Sequence, residues 1–143
     1  MMTFEALTPE QIDRLSVQLR AAGLRSTRPR LALAYLLFGA ENRHVTAETL
    51  HEEARNAGLS VSQATIYNTL NQFLSAGLLS EVIVDHARSY FDTNVTEHHH
   101  FFIEDETRLI DIPLNEVVLS TVPDAPEGYN LAGVDVVIRL DRS

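Results

Sequence analysis

Ser62-Gln-Ala-Thr-Ile-Tyr-Asn-Thr-Leu-Asn-Gln-Phe-Leu-Ser-Ala-Gly77 is the stretch from which the fold can be read. Ser62 is an N-capping residue type and Gly77 a stop. Between them Ile66, Leu70, Phe73 and Leu74 recur at i, i+4, i+7 and i+8, the stripe of an amphipathic helix. The opposite face holds Ala64, Thr65, Asn68, Asn71, Gln72 and Ser75, with Tyr67 on its flank. It is small, polar and uncharged, where an ordinary solvated helix carries Glu and Lys. Amides pair with base edges, and Ala or Thr methyls meet thymine methyls, so such a face suits the major groove of DNA.

Upstream, Thr46 caps a helix with Ala47, Leu50 and Ala54 inward and Gly58 as its stop. A helix, a glycine turn and a second capped helix make a helix-turn-helix. Two further helices precede it. Thr8-Pro9-Glu10-Gln11 opens the first with a capping box, and Ile12, Leu15, Leu19 and Ala22 follow on one stripe to Gly23. Thr27-Arg28-Pro29 opens the second, which carries Leu31, Leu33, Leu36 and Leu37 to near Gly39. Downstream, Glu81–Asp85, a turn His86-Ala87-Arg88-Ser89 and Tyr90–Asp92 form a β-hairpin in the place of a wing. Arg88 at its tip is a candidate phosphate contact. Residues 1–92 thus read as a winged helix-turn-helix DNA-binding domain.

Charge supports this once it is divided. The 143 residues carry eleven Arg, no Lys and twenty acids, a net −9 that on its face argues against nucleic acid. Yet residues 14–40 hold five Arg and no acid, and residues 54–80 hold Arg55 and no acid. Those stretches sum to +6 while the rest of the chain carries −15. A polyanion repels carboxylates, so clearing them from a docking face matters more than the total.

Residues 93–97 are polar and read as a hinge, and residues 98–143 as a small α/β lobe. His98-His99-His100 leads into a strand with Phe101-Phe102-Ile103, Glu104–Thr107 turns, and Arg108–Ile112 returns. Pro113 is expected to lead into a helix over 114–122, and Leu131–Leu140 to form a last strand. A lobe this small has little core of its own, so it is expected to dimerise, matching a palindromic site. On a strand His98 and His100 share a face and His99 opposes them. A His-X-His pair near Asp92, Glu97 and Asp111 is spaced for one metal ion or a haem iron. His44 stands at a joint and is a further candidate ligand, whereas His51 reads as an exposed helix residue.

Other classes are bounded by composition. With no cysteine, thiolate zinc sites, disulfides and cysteine catalysis are excluded. No apolar run approaches the roughly 18–20 residues of a membrane span, and the acidic N-terminus does not resemble a signal peptide, so a cytoplasmic protein is expected.

Gly23-Leu-Arg-Ser-Thr-Arg-Pro-Arg30, His44-Val-Thr-Ala-Glu48, Ala64-Thr-Ile-Tyr-Asn-Thr-Leu-Asn-Gln-Phe73, Ala76-Gly-Leu78 and His98-His-His100 together resemble the ferric uptake regulator family, over nearly the whole chain. The intact His triad, the missing Cys pairs and Asn68 after the recognition-helix Tyr resemble its iron response regulator branch. The resemblance implies a homodimeric winged-helix transcription factor of α+β class, with a C-terminal α/β dimerisation lobe. It further implies haem, read out as iron status, as a modulator of DNA binding to iron and haem metabolism genes, haem ligation weakening the grip on operators.

By the same resemblance Arg25 enters the minor groove, Arg30 contacts phosphate, and Thr65 and Tyr67 contact DNA from the recognition helix. Ser62, at its cap, joins that DNA-facing set. Asn68 stands where the wider family carries Arg, which implies a different operator. His44, Asp92 and Asp111 match a regulatory metal site whose fourth position is Phe101, so His98 or His99 is expected to substitute. His98 and His100 match a second site whose distal partner is replaced by Gly133-Val134. The Cys-bound structural zinc and the Cys-Pro haem motif are missing, leaving haem to His98, His99 and His100 and a divalent Fe, Mn or Zn ion to His and Asp. Such a ligand at the hinge is expected to set the splay of two DNA-binding lobes on an AT-rich palindrome. Two rivals remain at this level. One is a non-haem iron enzyme using His98, His100 and Asp111 as a facial triad; the other is a manganese or peroxide sensor of the same fold.

Overall fold

The computed structural model describes residues 7–142. It divides into two compact units, Met1–Val95 and Thr96–Ser143. The first is built on four helices, α1 (Pro9–Ala21), α2 (Arg28–Phe38), α3 (Ala47–Asn56) and α4 (Gln63–Ser75). Their starts follow from local chemistry. Gln11 N–H donates to Thr8 Oγ1 at 3.2 Å while Thr8 N–H donates to Gln11 Oε1 at 2.8 Å, closing the capping box of α1. Thr27, Thr46 and Ser62 cap α2, α3 and α4 through the N–H groups of Arg30, Thr49 and Thr65. Gly58 and Gly77, just beyond α3 and α4, have φ of +81° and +80°, the left-handed conformation that ends a helix cheaply only at glycine.

The inward stripes meet in one core. Leu19, Leu33, Leu37, Leu50, Ile66, Leu70 and Phe73 are fully buried in a single cluster. Burial of Ile66, Leu70 and Phe73 fixes the rotation of α4 and leaves its other face to solvent. Phe73→Ala is expected to cost about 3–5 kcal/mol, because the cavity it leaves lies among side chains that cannot collapse into it. Urea denaturation followed by circular dichroism would measure this; a cost under about 1 kcal/mol would place Phe73 outside the core.

β2 (Ser80–Asp85) and β3 (Arg88–Asp92) form the expected antiparallel hairpin. A third strand joins it that the sequence did not announce: β1 (His44–Val45) pairs antiparallel with β3, giving the order β1-β3-β2. Two residues are too few to carry a periodic signal.

In the second unit β4 (His99–Ile103) lies between β5 (Arg108–Ile112), antiparallel, and β6 (Val137–Leu140), parallel. Phe102, Leu109 and Ile112 are buried there. Two expectations are corrected. The helix over 114–122 is a single 3-10 turn, Leu114–Glu116. Val117, Val118, Thr121 and Val122 are β-branched, and Leu114, Val118 and Leu119 are exposed, so a helix here has neither propensity nor a face to bury. The last strand begins at Val137, not Leu131. The ladder on β4 runs from His100↔Val137 to Ile103↔Leu140, and the preceding Val136 N–H is taken by the His99 side chain. Among the described residues no helix is long and apolar enough to cross a membrane.

Candidate functional site

Two groups of side chains carry the candidate chemistry. The first lies on α4. Ala64, Asn68, Asn71, Gln72 and Ser75 are exposed, Tyr67 is 40% exposed, and Thr65 is half-buried. Thr65 is also held in its cap, its Oγ1 3.0 Å from Ser62 Oγ. The carboxylate-free face read from the sequence is therefore presented outward by a helix whose other side is locked into the core. Arg30, on α2, is drawn to it. Its Nε and Nη2 donate to Gln72 Oε1 at 3.1 and 3.0 Å, and its Nη1 donates to the Arg25 carbonyl at 3.1 Å. Arg25, Arg30 and Gln72 thus form one connected edge, with the Arg25 side chain exposed. Arg30 was legible as a cation; its fixing by Gln72 was not, because the two are 42 residues apart.

Arg88 is placed differently from the free tip residue expected. Its Nη2 and Nε donate to Asp85 Oδ2 at 2.6 and 3.0 Å, and it is half-buried. The Arg88 guanidinium, helped by the Ala87 N–H, holds the Asp85 carboxyl down at about 2. A depressed carboxylate favours the folded hairpin at neutral pH and loses that effect as pH falls from about 4 towards 2. Arg88→Ala is expected to raise Asp85 towards its ordinary value of about 4 without reaching it, because the Ala87 N–H remains, read by carboxyl carbon NMR; an Asp85 still near 2 would assign the shift to the backbone alone. Glu48 was not anticipated at all. It accepts the Tyr67 hydroxyl proton at 2.7 Å, and no sequence signal links residues 19 positions apart on different helices.

The second group consists of imidazoles and carboxylates. In the first unit the register of β1 on β3 sets His44 opposite Asp92. His44 Nε2 is 3.1 Å from Oδ2 of Asp92, a fully buried carboxylate whose Oδ1 accepts from Asn94 N–H at 2.9 Å. In the second unit β4 sets His100 opposite Asp111 on β5. His98 Nε2 and His100 Nε2 stand 3.2 and 3.4 Å from the same oxygen, Asp111 Oδ1, with ring centroids 4.5 Å apart. The three triad histidines do not converge. His99 is buried on the opposite face, where its Nδ1 accepts from Val136 N–H at 3.1 Å. Phe101, opposite Ile110 in the ladder, is also off the His100 face, and His98 and His100 both stand at Asp111. His51 is half-buried rather than exposed, with Nε2 3.1 Å from the Val61 carbonyl.

The donors at Asp111 fit a small cation. His98 Nδ1 lies 2.6 Å from the Thr96 carbonyl, so Nδ1 carries the proton and Nε2 of the neutral ring carries a lone pair. That lone pair faces a carboxylate oxygen, and two acceptors so close call for a positive charge between them, a second proton or a metal ion. Ligand atoms bound to one ion at ~2.1 Å sit about 3.0–3.4 Å apart in octahedral or tetrahedral sites. His98, His100 and Asp111 each offer one such atom. Imidazole with carboxylate suits Fe, Mn or Zn.

A family model, described as "Ferric uptake regulator family", matches residues 21–138. The chain belongs to that family. The ferric uptake regulation protein of Pseudomonas fluorescens is 33% identical over 107 residues, covering 75% of this chain and 81% of the relative. That of Pseudomonas aeruginosa is 38% identical over 82 residues, covering 57% of this chain and 61% of the relative. Among solved structures, the ferric uptake regulator from Pseudomonas aeruginosa with manganese aligns over 90% of this chain and 97% of its own, with a TM-score of 0.67 and 28% identity. Members of the ferric uptake regulator family are metal-responsive, DNA-binding transcription regulators, not enzymes, so the facial-triad iron enzyme finds no support.

Proposed function

We propose that this ferric uptake regulator family member acts in the cytoplasm as a homodimeric, metal-responsive regulator of iron and haem metabolism genes. It would lay α4 in the major groove of an AT-rich palindromic operator. The observation that carries the DNA-binding part is the exposed, carboxylate-free outer face of α4, flanked by Arg25 and Arg30. Asn68 and Asn71 are the candidate base readers, Arg25, Arg30 and Arg88 the candidate groove and phosphate contacts, and Ser62, Thr65 and Tyr67 complete the surface. Arg88 would exchange Asp85 for phosphate on binding.

His98, His100 and Asp111 are the proposed ligands of a divalent ion, which supplies positive charge between acceptors that otherwise repel. His44 and Asp92 are a second proposed ligand pair, tested by its own variants. The Thr96 carbonyl orients His98 by accepting its Nδ1 proton, and the Val136 carbonyl, accepting the His100 N–H, holds the strand that carries His100. The relative solved with manganese supports an ion of this class.

Haem is the alternative that resemblance to the iron response regulator branch supports. The geometry favours the ion over it. His98 and His100 direct Nε2 at one oxygen of Asp111, a set that would hold one small ion by two imidazoles and a carboxylate. His99, the third histidine, is turned away.

Fluorescence anisotropy of a labelled AT-rich palindromic duplex, with Mn²⁺ or with haem, tests the reading. Mn²⁺ is expected to raise affinity about tenfold or more, within the usual range of allosteric coupling. Operator affinity indifferent to Mn²⁺, Fe²⁺ and Zn²⁺ would overturn the metal reading. A response to haem alone, with a Soret shift lost in His98→Ala with His100→Ala, would put haem in the ion's place.

A further inference from the structure

Tyr67 reaches from α4 to the first turn of α3, where its hydroxyl donates to Glu48 Oε1 at 2.7 Å. That bond, at the positive end of α3, is the main cause holding the Glu48 carboxyl below the usual carboxylate range, and it raises the Tyr67 phenol. Both residues line the cleft between α4 and the hairpin, together with Asn71 and Arg88.

A phenol has one proton to donate and lone pairs to accept with. Once the proton is directed to Glu48, the outward side of the Tyr67 oxygen is an acceptor. In the major groove an acceptor matches the amino groups of adenine N6 and cytosine N4. It is repelled by thymine O4, guanine O6 and N7, and phosphate oxygens, which are acceptors themselves. We infer that Glu48 is a positioning residue for base reading: by taking the Tyr67 proton it makes Tyr67 an acceptor-only reader of a base amino group. A carboxylate beside a DNA-facing helix repels phosphate and so lowers affinity for any sequence. Its contribution is therefore to selectivity. This inference rests on the DNA-binding reading proposed above.

The test uses the full chain with Mn²⁺ and a library of duplexes randomised across an AT-rich palindrome. Wild type binding no duplex would defeat the DNA-binding reading, and this inference with it. If wild type selects an operator, Tyr67→Phe should lose the preference for adenine or cytosine at one position per half-site. Glu48→Ala should lose it at that same position, with operator-over-scrambled selectivity falling about tenfold. Glu48→Gln keeps an acceptor without the charge, so it should retain the preference while tightening binding to all sequences alike. In a Tyr67→Phe background Glu48→Ala should leave selectivity unchanged. The inference is overturned if Glu48→Ala changes operator and scrambled affinity by the same factor. It is equally overturned if the loss is as large without the Tyr67 hydroxyl as with it.

Discussion

Asn68→Glu is expected to weaken binding to an AT-rich palindromic duplex by about 100-fold or more, with the melting temperature unchanged. The expectation combines two losses. Asn68 is exposed on the outer face of α4, so the folded state has nothing there to lose. On DNA, however, an amide that can pair with a base edge is replaced by a carboxylate facing phosphates and base acceptors. Loss of a good base contact is worth about 1–3 kcal/mol, and a like charge held in the groove adds to that. Because each subunit of a dimer would bring one α4, the penalty is felt at both half-sites. Anisotropy and a thermal melt on the same preparation separate the effects. Normal DNA binding by Asn68→Glu would remove α4 from the interface, whereas a collapsed melt would show that the position is structural.

The second large effect concerns the imidazoles. His98→Ala combined with His100→Ala is expected to lower Mn²⁺ affinity by about 100- to 1,000-fold, since loss of a single outer-shell partner already costs 10- to 100-fold. Isothermal titration calorimetry would measure it. His99→Ala is the control: its ring lies on the opposite face against Val136 N–H, so it should perturb β6 and leave metal affinity nearly unchanged. Equal losses from His99→Ala and from the double variant would mean that the metal response reads the strand and not its ligands. His44→Ala examines the first unit's pair separately, because its partner Asp92 is buried and loses its imidazole there.

The helices were legible because each is specified twice, by a capping residue and by apolar content, which forms a stripe in α1, α3 and α4 and covers most of α2. Thr8, Thr27, Thr46 and Ser62 mark four starts, and the buried residues of all four helices close one core. Where one of these was missing, the reading failed. Residues 114–122 had apolar content but no cap and no buried face, and they turn once and run on. The two-residue strand β1 is defined only by its partner β3. Period-two alternation correctly separated His98 and His100 from His99. It could not supply the partner of His99, which is Val136, just before β6 and 37 residues downstream. The bonds that tie candidate DNA contacts to their own chain were equally out of reach: Tyr67 to Glu48, Arg30 to Gln72 and Arg88 to Asp85. Sequence shows which groups are present, and non-local packing decides which of them are already engaged.

The most direct measurement is the affinity of the intact, Mn²⁺-loaded chain for a labelled AT-rich palindromic duplex and a scrambled one, from about 50 to 200 mM salt. A carboxylate-free helix face flanked by arginines predicts preference for the palindrome by about 1,000-fold or more and affinity that falls steeply with salt for both duplexes. No complex with either duplex at micromolar protein, as expected of a chain carrying net −9 without a cleared face, would contradict it.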